Sequence, residues 1–201
     1  LSGFGQRWSS VRTTSKPSAK TWRTTIDSQA VKGTVIIPDE FNRQAVLQVD
    51  FDKLSLAIPQ DLERKPSTKS QALWPSMTIK VADLVVDNLQ LGRFQLAAQQ
   101  EKQHWTITSA TLNSDVYTCS ATKGVWQQST IGDTTDLAIR VDSEHFADML
   151  EKLGYQPAID ADKSKLIMSF SWPGDPLAFS QKTATGTLSF KLEDGTLKDI
   201  E

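Results

Sequence analysis

Apolar and polar residues alternate one for one along much of this chain, and a period of two predicts β-strands. In Ala45-Val46-Leu47-Gln48-Val49-Asp50-Phe51 one face reads Ala45, Leu47, Val49, Phe51 and the other Val46, Gln48, Asp50. Met77, Ile79 and Val81 alternate with Thr78 and Lys80, and Leu137, Ile139 and Val141 with Asp136, Ala138, Arg140 and Asp142. Leu166, Met168, Phe170 and Trp172 oppose Lys165, Ile167, Ser169 and Ser171; Leu188, Phe190 and Leu192 oppose Thr187, Ser189 and Lys191. Successive side chains of a strand point to opposite sides, so each segment has one apolar and one mostly wet face. Antiparallel sheets open to water on one side have this pattern. Further strands are predicted at 21–26, 30–37, 54–58, 84–91, 94–98, 104–109, 116–121 and 124–128. Turn chemistry separates many of them, at Asp39-Glu40, Gln90-Leu91-Gly92, Asn113-Ser114-Asp115, Lys123-Gly124 and Asp194-Gly195. Strands of about 6–9 residues would span roughly 20–30 Å.

One segment changes period. Phe146, Met149, Leu150 and Leu153 follow helical spacing, with Asp142 or Ser143 as the predicted N-cap and Gly154 as the stop. Such a stripe has to cover something, and the end of the sheet is the expected place. The polar, charged stretch 59–75, bounded by Pro59 and Pro75, reads as a long loop and a possible boundary within an otherwise single β-rich segment, 1–201. The expected architecture is mainly β: a long antiparallel meander with one short capping α-helix.

Composition narrows the picture. The 201 residues suffice to bury a core, yet only 38% are hydrophobic, which suits a thin sheet with one wet face. The 22 basic and 24 acidic residues give a net charge of -2 without long blocks, which argues against a nucleic-acid partner. No apolar run is long enough to span a bilayer as a helix, and Leu1-Ser2-Gly3-Phe4-Gly5 has no signal-peptide pattern. The chain is therefore read as a segment of a larger protein, any anchor lying outside it.

Catalytic chemistry is sparse. His104 and His145 are far apart in sequence, and Cys119 sits in a strand without a glycine elbow or nucleophile motif, so it reads as a packed thiol. Asp160 and Asp162, followed by Lys163 and Lys165, read as a solvated turn rather than a metal site. No phosphate-cradling loop or nucleotide fingerprint occurs. The expectation is a protein that is not an enzyme and uses no cofactor and no metal. Six tryptophans remain, and Trp74-Pro75 and Trp172-Pro173-Gly174 fall at strand edges. Either they seal the ends of a thin sheet, or they form an aromatic rim with indole N–H groups free for polar heads of lipid or glycan.

The series Gly124-Val125-Trp126, Thr135-Asp136-Leu137, Leu153-Gly154-Tyr155, Ser171-Trp172-Pro173-Gly174-Asp175-Pro176, Gly186-Thr187-Leu188 and Gly195-Thr196-Leu197 resembles the C-terminal region of YhdP-type proteins. These are members of the AsmA-like family of large Gram-negative envelope proteins. Lys32-Gly33-Thr34-Val35-Ile36-Ile37-Pro38 and Leu54-Ser55-Leu56 extend the resemblance over the first half. It implies a protein anchored in the inner membrane that crosses the periplasm as a long, curved, groove-forming β-sheet. It also implies movement of phospholipids between the inner and outer membranes, with acyl chains, the rest of the longer chain and other envelope proteins as partners.

The apolar positions proposed to line such a groove are Leu47, Val49, Phe51, Leu137, Ile139, Val141, Leu166, Met168, Phe170, Leu188 and Phe190. A competing expectation is a structural or assembly module, its apolar faces closed on each other as a sandwich and its edges binding a protein partner. A hydrolase would need converging polar groups, and a membrane barrel would place Lys80, Asp136, Arg140 and Lys191 against lipid.

Overall fold

A computed structural model of the chain describes residues 2–3, 6–7, 10–41, 45–57, 74–157 and 159–197. Two short strands, β1 (Ser2–Gly3) and β2 (Gln6–Arg7), pair only with each other. The remaining strands build one open sheet of eleven. They are β3 (Arg12–Ser18), β4 (Thr21–Asp27), β5 (Val31–Pro38), β6 (Val46–Leu56), β7 (Ser76–Val86) and β8 (Leu89–Gln100). β9 (His104–Asn113), β10 (Thr118–Gln127), β11 (Thr134–Ser143), β12 (Ile159–Pro173) and β13 (Thr185–Leu197) complete it. Spatial order follows chain order, so β3 and β13 are the two edges.

The mainly-β expectation holds, with one change of direction. Every neighbouring pair is antiparallel except β6 and β7, which run parallel in the register Val49↔Ile79. Alternation is the same in both strand directions, so only the connection reveals which applies. A parallel pair needs a crossover of a dozen or more residues, which the long stretch after β6 supplies. Residues 58–73, most of the predicted loop and boundary, lie outside the described residues.

Several predicted breaks are bends within strands. The chain turns at Asp87 and Asn88, whose φ values of 48° and 68° suit a two-residue hairpin, rather than at Gln90-Leu91-Gly92, which lies inside β8. Lys123-Gly124 sits within β10, where the register shifts between Ala121 and Lys123, and Asp194-Gly195 sits within β13. Bulges use the same residue types as turns, which is why the two are confused in sequence. The Asp160-Asp162 stretch is likewise strand, part of β12, and not a turn. Fused in this way, β7 and β8 have 11 and 12 residues and span roughly 35–40 Å, longer than predicted. Alternation does not predict β3, because Arg12–Ser18 is exposed on both faces.

Gly33 shows how tightly neighbouring strands approach. Its φ is +148°, and a Cβ there would lie 2.3 Å from the Asp50 carbonyl oxygen and 2.8 Å from Phe51 Cδ1. Phe51 covers the glycine from the adjacent strand. Gly33→Ala is expected to cost about 1–3 kcal/mol through backbone strain and collision with main chain. An unchanged urea midpoint would show that the strand pair can spread freely.

The helix α1 (Phe146–Lys152) follows β11. Ser143 does not cap it directly. It accepts the His145 N–H at 3.1 Å and donates to the Val116 carbonyl at 2.7 Å, while His145 takes the N-cap position. Gly154, at φ +84°, ends the helix as expected: its N–H donates to Glu151 O and that of Tyr155 to Leu150 O, both at 2.9 Å. Phe146 and Met149 pack with Tyr117 and Ala161, and Phe146 lies 5.2 Å from the Phe190 ring. Gly154 meets Leu89 of β8 on the other side. One short helix thus touches strands five positions apart, which draws the sheet into a curve around it.

Lys152 fastens α1 to the β9–β10 turn by an ion pair with Asp115. That partner and the Ser114 hydroxyl pull the Asp115 carboxyl down to about 2. Because folding lowers this pKa, the pair adds stability above about pH 4, and the contribution fades as pH falls toward 2. Asp115→Asn should therefore lower the thermal midpoint slightly at pH 7 and not at pH 2. An equal effect at both values would show that the ion pair is not the source.

Candidate functional site

Cross-strand partners point to the same side of a sheet, so the register shows which residues share a face. One row runs Phe51, Val81, Phe94, Leu112, Cys119, Val141, Leu166, Phe190, crossing eight strands without a polar side chain. Beside it, Val35, Val49, Ile79, Leu96 and Ala110 form a second row over β5 to β9. Ala121, Ile139, Met168 and Leu188 carry a matching row over β10 to β13. The register shifts in β9 and β10 absorb single residues and leave the apolar side chains on the same side.

All eleven positions proposed from sequence fall on this face: Leu47, Val49 and Phe51 on β6, Leu137, Ile139 and Val141 on β11, Leu166, Met168 and Phe170 on β12, and Leu188 and Phe190 on β13. None of the eleven is fully buried; nine are half-buried, and Leu188 and Phe190 are 65% and 45% exposed. A sandwich core would bury such residues almost completely. Among the described residues the sheet has no second sheet on it, so the sealed-sandwich expectation does not hold there.

Local alternation does not reveal the middle of the face. Met77, Ile79 and Val81 alternate, yet only pairing across β7, β8, β9 and β10 shows that they link β6 to β11. Phe94-Gln95-Leu96 carried the same signal in fewer residues. Cys119 lies in the principal row, packed beside the helix cluster, and burial pushes its thiol pKa up, as suits a packed rather than a nucleophilic thiol.

Two walls flank the face. At one end of the strands α1 lies on it with Tyr117, Val141, Leu150 and Leu192. At the other end Trp74, Trp105 and Trp126 stack edge to face, with ring centroids 5.1 and 5.7 Å apart from Trp74. Trp172 continues that end 5.2 Å from Phe179. Of the two tryptophan readings, sealing fits these residues: Trp105, Trp126 and Trp172 are buried. Their indole N–H groups donate to Pro75 O at 3.1 Å, Asp133 Oδ2 at 3.3 Å and Asp175 O at 3.0 Å, so none of the three is free for a polar head. Between the walls, from Thr135 to Val141 on β11, lies a lane roughly 20 Å wide before side chains are subtracted.

The opposite face is polar and largely self-neutralised. Lys123 pairs with Asp136 at 3.1 Å, and Arg140 grips Asp142 through two bonds of 2.6 and 2.7 Å. Hydrogen bonds from Ser171 and Lys123 hold the Asp136 carboxyl below its usual range, and the Arg140 guanidinium does the same for Asp142. His104 begins β9 at the tryptophan end and His145 stands at the helix end, so a ten-residue strand, roughly 33 Å, separates their levels. No group of three or more possible metal ligands occurs among the described residues.

An open sheet with one dry, walled face is a groove-forming scaffold, and its contents are decided by what that face covers. A family profile described as YhdP protein matches residues 1–201, and the chain belongs to that family. At the level of the family it is an envelope protein of the lipid-transport type. Comparisons with curated proteins and with solved structures returned no match. No helix among the described residues is long and apolar enough to cross a membrane.

Proposed function

We infer that the walled apolar face is a path for phospholipid acyl chains, and that this chain is a periplasmic part of a bridge carrying lipids from the inner to the outer membrane. The observation carrying this reading is the apolar face that runs from Phe51 to Phe190 and stays open beside the helix, where Ala121, Ile139 and Met168 are half-buried and Leu188 is 65% exposed. Each acyl CH₂ removed from water gains about 0.8 kcal/mol. A surface that is apolar along the lane between its walls shields a chain equally at each step, so movement along it meets no deep trap and needs no catalytic residue or cofactor.

The test compares adjacent positions on opposite faces. A photocrosslinking side chain at Met168 should capture lipid in cells, whereas one at Ile167 should not. Equal capture, or none at Met168, would sink the reading.

A structural role has one observation in its favour. Among the described residues, β13 is an unpaired edge of 13 residues without proline, whereas the opposite edge, β3, is interrupted by Pro17. Protein adducts on β13 with no lipid adducts at Met168 would favour that alternative.

A further inference from the structure

The β3–β4 hairpin gathers charge that looked dispersed along the sequence. Residues 12–27 hold Arg12, Lys16, Lys20 and Arg23 against Asp27, which faces Arg12, while Asp39 and Glu40 of the next turn stand beside Lys20, so Lys16 and Arg23 are the uncompensated pair in a chain whose net charge is -2. Lys16 and Arg23 are seven positions apart, yet the hairpin sets them directly opposite each other, both exposed. Like charges in that position repel. On its other side Arg23 faces Ile36, and no ion pair to Lys16 or Arg23 is found among the described residues. Elsewhere on the polar face an opposed cation pair is compensated: Lys165 and Lys191 have Asp142 and Glu193 beside them, the latter 2.5 Å from Lys191.

The same tip carries an indole. Trp22 pairs with Pro17 on the apolar side of the hairpin and is 45% exposed, unlike the buried tryptophans of the wall. Cations on one side and an indole on the other, at the end of an edge hairpin, match the layers of a membrane interface. Lys and Arg meet headgroup phosphates while the indole sits at the boundary with the acyl region. Single-stranded nucleic acid would instead want aromatic and basic side chains on one face.

We propose that the tip formed by Lys16, Lys20, Trp22 and Arg23 docks this edge of the sheet onto an anionic lipid bilayer. Such docking does not require that acyl chains enter the apolar face. Cosedimentation of the 201-residue chain with vesicles tests it. The chain should bind phosphatidylcholine vesicles containing phosphatidylglycerol, weakly at high salt, and pure phosphatidylcholine vesicles hardly at all. Lys16→Gln with Arg23→Gln should weaken binding about twenty-five-fold, at about fivefold per cation removed. Lys165→Gln with Lys191→Gln, the same charge change at a compensated site, should leave it unchanged. Trp22→Ser should weaken vesicle binding without altering weak binding to an oligonucleotide. Equal binding to neutral vesicles, equal losses from both double variants, or insensitivity to Trp22→Ser would each overturn the proposal. Because the four tip side chains are exposed, the thermal midpoints of the tip variants should shift by no more than a few degrees.

Discussion

Trp126→Ala should destabilise the protein by about 3–5 kcal/mol, a large share of the stability of an ordinary domain. Trp126 is 0% exposed, stacks on Trp74, and stands opposite Trp105 on the neighbouring strand. Truncation empties the centre of the tryptophan wall, and a thin sheet has few atoms able to collapse into the space. The change also strips the Asp133 carboxylate of the indole N–H it accepts. Trp22→Ala removes the same side chain from a site 45% exposed at the edge and should cost under about 1 kcal/mol. Urea denaturation distinguishes them, and similar midpoints for the two variants would mean that the wall is not a stabilising core.

Ile139→Asp should abolish most binding of a fluorescent phospholipid while leaving the protein folded. Ile139 lies in the open lane between Ala121 and Met168 and is only half-buried, so the folded state can keep a charge there in water. A carboxylate laid against an acyl chain costs roughly 2–3 kcal/mol, which weakens binding about thirty- to a hundred-and-fifty-fold. Ile167→Asp is the matched control. Ile167 is 39% exposed on the polar face, directly across from Arg140, and the new carboxylate would find a cation. Equal loss from both variants, with thermal midpoints unchanged, would remove the lane from the account.

The strands that pack only one face were plain from alternation, and the helix from its spacing and its stop at Gly154. β3 was not, because an edge strand exposed on both faces needs no apolar residue. Turns and bulges were interchanged at Gln90-Leu91-Gly92 and Lys123-Gly124, since both features use residues that tolerate unusual backbone.

Sequence by itself determined that each strand has a dry side, because the period of two is a property of the backbone and holds whatever the neighbours are. It also determined, at the eleven named positions on β6, β11, β12 and β13, which side chains point that way. Only the tertiary structure decided that these dry sides form one surface, since that depends on register between strands far apart in the chain. It likewise decided that the surface stays uncovered between its walls, that β6 and β7 run parallel, and that Lys16 and Arg23 meet. Each of these is a relation between segments, set by hydrogen-bonded pairing and chain connection, and no local pattern of polarity encodes it.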